Sequence, residues 1–258
     1  MVKYQENLLL DLHWSLYEKA YEEAIALPII DSPRFLQYAK NFEKILPKYF
    51  NKIDLESLLN VIHSHNIILY GDFHTFKQSQ KGFLRLVRNY VDKYSNNVII
   101  AVECIKAKDQ SKIDKFLSND LSEAKFLESI NYYEDWGFPW EHYKNIFEFA
   151  KKHSIKIVGI NLKTQGRGSL KTRDNFTAKI LLDILYKEPD KKVFCIIGEY
   201  HLADKHLPLS LSKRSNSNVS IVRILNNVDR YYFELDMLHS DEDIYLHLKD
   251  DLYCVMNA

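Results

Sequence analysis

The chain has 258 residues, with 35 basic and 35 acidic side chains, no net formal charge, 46% hydrophobic and 27% charged residues. That balance belongs to a globular protein with a substantial core, and it lacks the basic footprint of a nucleic-acid binder. No run of 18 apolar residues occurs, so no membrane span is expected, and the acidic N-terminus MVKYQENLLLDLHWSLYEKAYEEA lacks the order of a secretory signal.

The first 65 residues read as a helical N-terminal extension (1–65) ahead of an α/β domain (66–258). Residues 6–26 carry apolar side chains at helical spacing. Ser32 is placed to cap a helix with Pro33 at its first position, and Asp54 to cap LESLLNVIHSH. Beyond residue 66, short apolar runs take over: IILY (67–70), VIIAV (98–102), KIVGI (156–160), VFCII (193–197) and VSIVRIL (219–225). Helical patterns separate them at 79–94, 109–118, 122–130, 140–153 and 173–187. Continuous apolarity in the strands and helices between them predict a mostly parallel central sheet with helices on both faces. YYFEL (231–235) is expected as part of an antiparallel edge hairpin, and LYCVM (252–256) as a last strand. The basic loop LKTQGRGSLK (162–171) lacks the spacing of a phosphate-binding loop. Cys104, Cys195 and Cys254, odd in number and far apart, argue against a disulfide framework or a thiolate zinc site; Cys104 and Cys195, in apolar strand-like runs, read as packed free thiols, and a cytoplasmic location fits.

One pattern is written twice. IILYGDFH (67–74) and CIIGEYH (195–201) each run from an apolar strand through Gly to an acid, an aromatic and a histidine. In a parallel sheet, ligands bind outside the carboxyl ends of the strands. Asp72 and His74, Glu103, Asn161, and Glu199 and His201 each stand at such an end, so one rim would gather them. Gly71 and Gly198 would let the backbone turn off the strand. Taken singly, a histidine here is more often structural, and Asp72 suits a helix cap. Glu103 closes an apolar strand, where a carboxylate needs a partner. Agreement among four strands favours function for the set.

Imidazoles and carboxylates without thiolate suit Zn²⁺, Mn²⁺, Co²⁺ or Fe²⁺, with His74, His201, Glu103 and Asp72 as ligands and a spare carboxylate, Glu103 or Glu199, as base. A histidine with an orienting carboxylate can also activate water without metal, and spacing alone does not separate the two. Arg173 can reach the crevice and hold an anion, or pair with Asp174 at the surface. The aromatic stretch WGFPWEHY (136–143) reads first as core packing and second as a pocket floor.

These residues carry a resemblance. GDFHTFKQSQKGFLRLV, AVECIKAKDQSKIDKFL, WEHYKNIFEFAKKHSIKIVGIN, TRDNFTAKIL and IIGEYHLADKHLP, in that order over roughly residues 60–225, resemble the ChaN-like (haem-binding uptake) branch of the Tiki/TraB/erythromycin-esterase-like superfamily with its paired GxxH motifs. The resemblance implies an α/β fold with its site at the strand ends. Its Tiki branch implies a metal-dependent peptidase with His74 and His201 as ligands. Its esterase branch implies a His74 that activates water, and its ChaN branch implies haem binding linked to iron uptake. The expectation is thus a hydrolase, metal-assisted, acting on a small-molecule or peptide substrate with His74, Glu103, Glu199 and Arg173 as its catalytic groups. A haem- or iron-binding protein without catalysis is the alternative, and an interaction module without ligand a third reading. The N-terminal helices can serve as a lid, as the arm of a homodimer, or as part of the core.

Overall fold

The computed structural model describes residues 8–19, 33–162, 170–215, 219–235 and 240–258. Ser32, residues 20–26 and most of the basic glycine loop lie outside the described residues. Helix α1 covers 8–19 and α2 Pro33–Glu43; a three-residue strand, β1 (Asn51–Ile53), then precedes α3 (Leu55–Ser64). Asp54 caps α3 as expected, its carboxylate accepting from the Ser57 N–H at 2.7 Å.

The centre of the molecule is an eight-stranded sheet. Strands β2 (Ile67–Asp72), β3 (Val98–Lys106), β4 (Lys156–Asn161), β5 (Lys192–Gly198), β6 (Ile221–Asn226), β7 (Ile244–Lys249) and β8 (Leu252–Met256) join β1 in the order β1-β7-β8-β6-β2-β5-β3-β4. From β8 to β4 every pairing is parallel, and β7 and β1 close the other edge antiparallel. The expected antiparallel edge is present, with one change of membership. YYFEL lies in a helix, Asp229–Glu234, and the hairpin is made by β7 and β8. Tyr231 is wholly buried in that helix, so an aromatic run rich in strand formers was recruited by packing instead.

Helices α4 (Lys77–Lys93), α5 (Gln110–Leu117), α6 (Glu123–Ile130), α7 (Tyr132–Asp135) and α8 (Lys144–Lys152) accompany one face; α9 (Leu170–Lys187), α10 (Leu207–Arg214) and α11 (Asp229–Glu234) contribute to the other. Side chains alternate along a strand, so β2 sends Ile68 and Tyr70 into the first core and Ile67 and Leu69 into the second. β2 and β3 are buried along their whole lengths, as their unbroken apolarity predicts. Helix α2 places Tyr38 and Phe42 on one face, and both are buried, as is Ile45 in the turn that follows.

Strand β5 runs between β2 and β3, although it comes last of the three in the chain. That insertion carries the second motif to the middle of the first motif and Glu103, with Asp72 in register with Gly198.

Candidate active site

Four expected residues meet at the carboxyl ends of β2, β3 and β5. Glu103 is at the centre. Its Oε2 accepts from the Gly198 N–H at 2.7 Å, and its Oε1 accepts from the guanidinium of Arg173. His74 Nε2 faces Oε2 at 3.8 Å, and His201 Nε2 faces Oε1 at 3.6 Å. Burial alone would push the Glu103 carboxyl up; Arg173, the two imidazoles and the Gly198 N–H reverse this and bring it to about 2.

Each imidazole is held from behind by an aspartate, and each aspartate by a tyrosine. His74 Nδ1 meets Asp72 Oδ2 at 2.8 Å; Tyr143 donates to the same oxygen at 2.6 Å, and Gln80 donates to Oδ1. His201 Nδ1 meets Asp174 Oδ1 at 2.5 Å, and Tyr38 donates to Asp174 Oδ2. The two Tyr–Asp–His sets draw on elements from opposite faces of the sheet. Gln80 and Tyr143 come with the helices of the first core, whereas Asp174 and Tyr38 come with α9 and α2. Their imidazoles converge on one carboxylate. The difference is access: the His74 side chain is 24% exposed and the His201 side chain 6%.

Several local expectations change here. Asp72 caps no helix; its carboxylate is spent on His74, Gln80 and Tyr143. Arg173 is no surface partner of Asp174: these neighbours on α9 divide, one to Glu103 and the other to His201. Gly71 and Gly198 do not adopt a positive φ. They are needed for close approach instead. A Cβ on Gly198 would stand 3.3 Å from His74 Nε2, and one on Gly71 would stand 3.1 Å from the Glu199 Cβ. Asn161 falls outside this group, lining a neighbouring cavity with Lys106 and Arg173. The aromatic stretch divides too. Trp140 is core, whereas Trp136 and Phe138 pack on the His74 ring at 4.6 and 5.0 Å between centroids.

A cavity of about 330 Å³ opens over the site, bordered by His74, Glu103, Arg173, His201 and Glu199. Burial opposes charge on His74, but the bond to Asp72 and the Glu103 charge outweigh it and raise its pKa above the ordinary 6.5. Glu199 moves the other way from Glu103: burial first, then Asp229 and Asp72, push its carboxyl up to about 8. At neutral pH the cavity thus pairs a permanent carboxylate with a protonated one.

The arrangement does not fit a divalent cation. Both oxygens of Glu103 and both of Asp72 are taken by donors, and the Arg173 guanidinium already supplies positive charge against Glu103. Among the described residues no group of three or more His, Cys, Asp or Glu side chains is arranged as a metal site. The thiols of Cys104 and Cys195 are buried and free, as expected. Among the described residues no helix is long and apolar enough to cross a membrane.

Sequence reasoning missed Asp174, Tyr38 and Gln80 as site residues and took Tyr143 for packing. Asp174 was within reach of inspection, since it adjoins Arg173 and continues the buried α9 face of Thr177, Ala178 and Leu181. Tyr38 carried no local signal at all.

Fold and site together define a doubly wound α/β protein with a paired-histidine centre at its strand ends. A family model described as haem-binding uptake, Tiki superfamily, ChaN matches residues 58–171. Among solved structures, ChaN of Campylobacter jejuni, described with cofacial haem binding, is 16% identical with a TM-score of 0.57, covering 82% of this chain and 98% of its own. The type III effector HopBA1 is 13% identical with a TM-score of 0.51, covering 81% of this chain and 96% of its own. At these identities the likeness is one of fold. No curated protein matches the sequence. The matched segment contains Asp72, His74, Glu103 and Tyr143, and ends before Arg173, Asp174 and His201.

Proposed function

We propose that the chain is a hydrolase that works without metal, with His74 as the general base. The observation that carries this reading is the convergence of two aspartate-held imidazoles on Glu103 and Arg173 beside one cavity. Asp72 fixes the His74 ring with Nδ1 as donor, leaving Nε2 to take a proton from water. The activated oxygen attacks an acyl or comparable electrophilic centre. Arg173, 27% exposed and anchored by Glu103, faces the negative charge that develops. The protonated Glu199 gives its proton to the leaving group, and the cycle closes when His74 releases its proton to solvent and Glu199 takes one back from solvent. Glu103 itself, held at about 2, is too weak a base for neutral pH and serves as the anchor of the site.

The test is a panel of p-nitrophenyl acetate, bis-p-nitrophenyl phosphate and fluorescent casein, run on wild type and His74→Ala with and without EDTA. Turnover that survives EDTA and disappears in His74→Ala supports the proposal; turnover that EDTA abolishes and Mn²⁺ or Zn²⁺ restores overturns the metal-free mechanism.

Haem binding is the second reading, favoured by the family model together with a partly exposed imidazole flanked by Trp136 and Phe138. His74 would supply the axial nitrogen and Arg173 a partner for a propionate. Haem titration with a saturating Soret band in wild type that is lost in His74→Ala is its expected outcome.

A further inference from the structure

We infer that Tyr38, a residue of the N-terminal helix α2, is a positioning residue of the site, acting on His201 through Asp174. This rests on the hydrolytic reading only for its kinetic effect, since the geometry stands by itself.

The contacts form one line. His206 gives its Nδ1 to the carbonyl of Tyr200 at 2.5 Å and meets the Asn41 Nδ2 through its Nε2 at 3.2 Å. A backbone carbonyl needs a donor and an amide nitrogen needs an acceptor, so these two bonds select one neutral tautomer. Burial favours the same form, lowering the His206 pKa against the Tyr200 bond. The fixed ring then lies flat on the Tyr38 ring, with centroids 3.3 Å apart and planes 3° from parallel. Stacked so, the phenol has one direction for its hydroxyl, and Asp174 Oδ2 stands there. The other oxygen, Oδ1, holds His201 Nδ1. His201 Nε2 in turn faces Glu103.

The His74 side of the site shows what such a line does. There Tyr143 donates to Asp72, which holds His74. Tyr38 is the tyrosine of the second set, but it takes the Asp174 oxygen that His201 leaves free, the place Gln80 holds on Asp72, and it comes from residues ahead of the segment that the family model matches. A carboxylate with one imidazole partner can rotate; a second donor on its other oxygen holds the plane and draws off part of its charge. Helix α2 therefore closes the second half of the site, with Phe42 packed on Tyr200 at 5.2 Å to seat it.

Tyr38→Phe keeps the stacked ring and removes only the hydroxyl. In the full-length protein, proton NMR in the downfield imidazole N–H region should show the His201 Nδ1–H displaced while the His74 Nδ1–H stays. His206→Phe, which keeps a ring but loses both fixing bonds, should displace the same resonance by less. Tyr186→Phe, at an exposed position, should move neither. On a substrate found for the wild type, kcat should fall about tenfold with KM unchanged, the scale of one lost charge-assisted hydrogen bond. An unmoved His201 resonance in both Tyr38→Phe and His206→Phe overturns the inference. Should the wild type turn over none of the panel, the hydrolytic reading fails while the resonances still decide the role of Tyr38.

Discussion

The two Tyr–Asp–His sets use the same parts for different ends. Both histidines border the same cavity, but the His74 side chain is 24% exposed, whereas His201, held by Asp174 and by Tyr38 of α2, is 6% exposed. Like groups with like partners acquire different roles from access alone. An imidazole that water can reach can trade protons with substrate; one 6% exposed mainly sets the charge and orientation of Glu103. A repeated motif therefore marks a place in the fold twice, and does not by itself double a function.

The sharpest way to break this comparison is to remove each histidine in turn. His74→Ala should lower kcat by about 10²–10⁴-fold, as expected for a lost general base, with little change in the unfolding midpoint. His201→Ala should do the reverse, costing about 2–4 kcal/mol by leaving buried Asp174 without its imidazole, and affecting kcat less. Equal kinetic losses, measured alongside urea denaturation, would dissolve the distinction.

Next in size is the shared carboxylate. Glu103→Gln should destabilise by on the order of 2–3 kcal/mol, since Arg173 loses its anion. Because the Glu103 carboxyl is held below its ordinary 4.5, at about 2, its stabilisation is complete above that ordinary value and is lost as pH falls toward 2. The variant should accordingly lose less stability than wild type between those limits, a difference that denaturation curves at several pH values will read.

A pH profile sharpens the chemical side. With His74 as base and Glu199 as acid, the rate should rise through a pKa above 6.5 and fall through about 8. Glu199→Gln should remove the falling limb and keep the rising one. A falling limb unchanged in the variant would take Glu199 out of proton transfer.

The smallest expected effect is Gly198→Ala. Its methyl would press on His74 Nε2 at 3.3 Å, so kcat should drop by about tenfold with less than about 1.5 kcal/mol of stability lost. Unaltered kinetics would show that the two histidine sets tolerate being moved apart.

Much of this was legible in the chain itself. Unbroken apolar runs such as IILY and VIIAV announce strands covered on both faces, because only such strands can bury every side chain. An acid or histidine at the end of such a run is conspicuous, and Asp72, His74, Glu103 and His201 were found that way. What sequence could not show was partnership. Asp174 and Tyr38 sit in amphipathic helices where a polar residue is unremarkable until the fold names its neighbour. YYFEL looked like a strand because intrinsic preference is weak beside the burial of Tyr231.

The sequence by itself determined the class of fold and the rim on which the chemistry stands, since periodicity and strand-end residues are local properties of the chain. Tertiary structure alone decided that β5 would enter between β2 and β3, that Arg173 would occupy Glu103, and that a tyrosine from the N-terminal helix would stand behind His201. Those facts depend on contacts between residues 70 to 136 positions apart, and no local pattern encodes which of many polar side chains will meet.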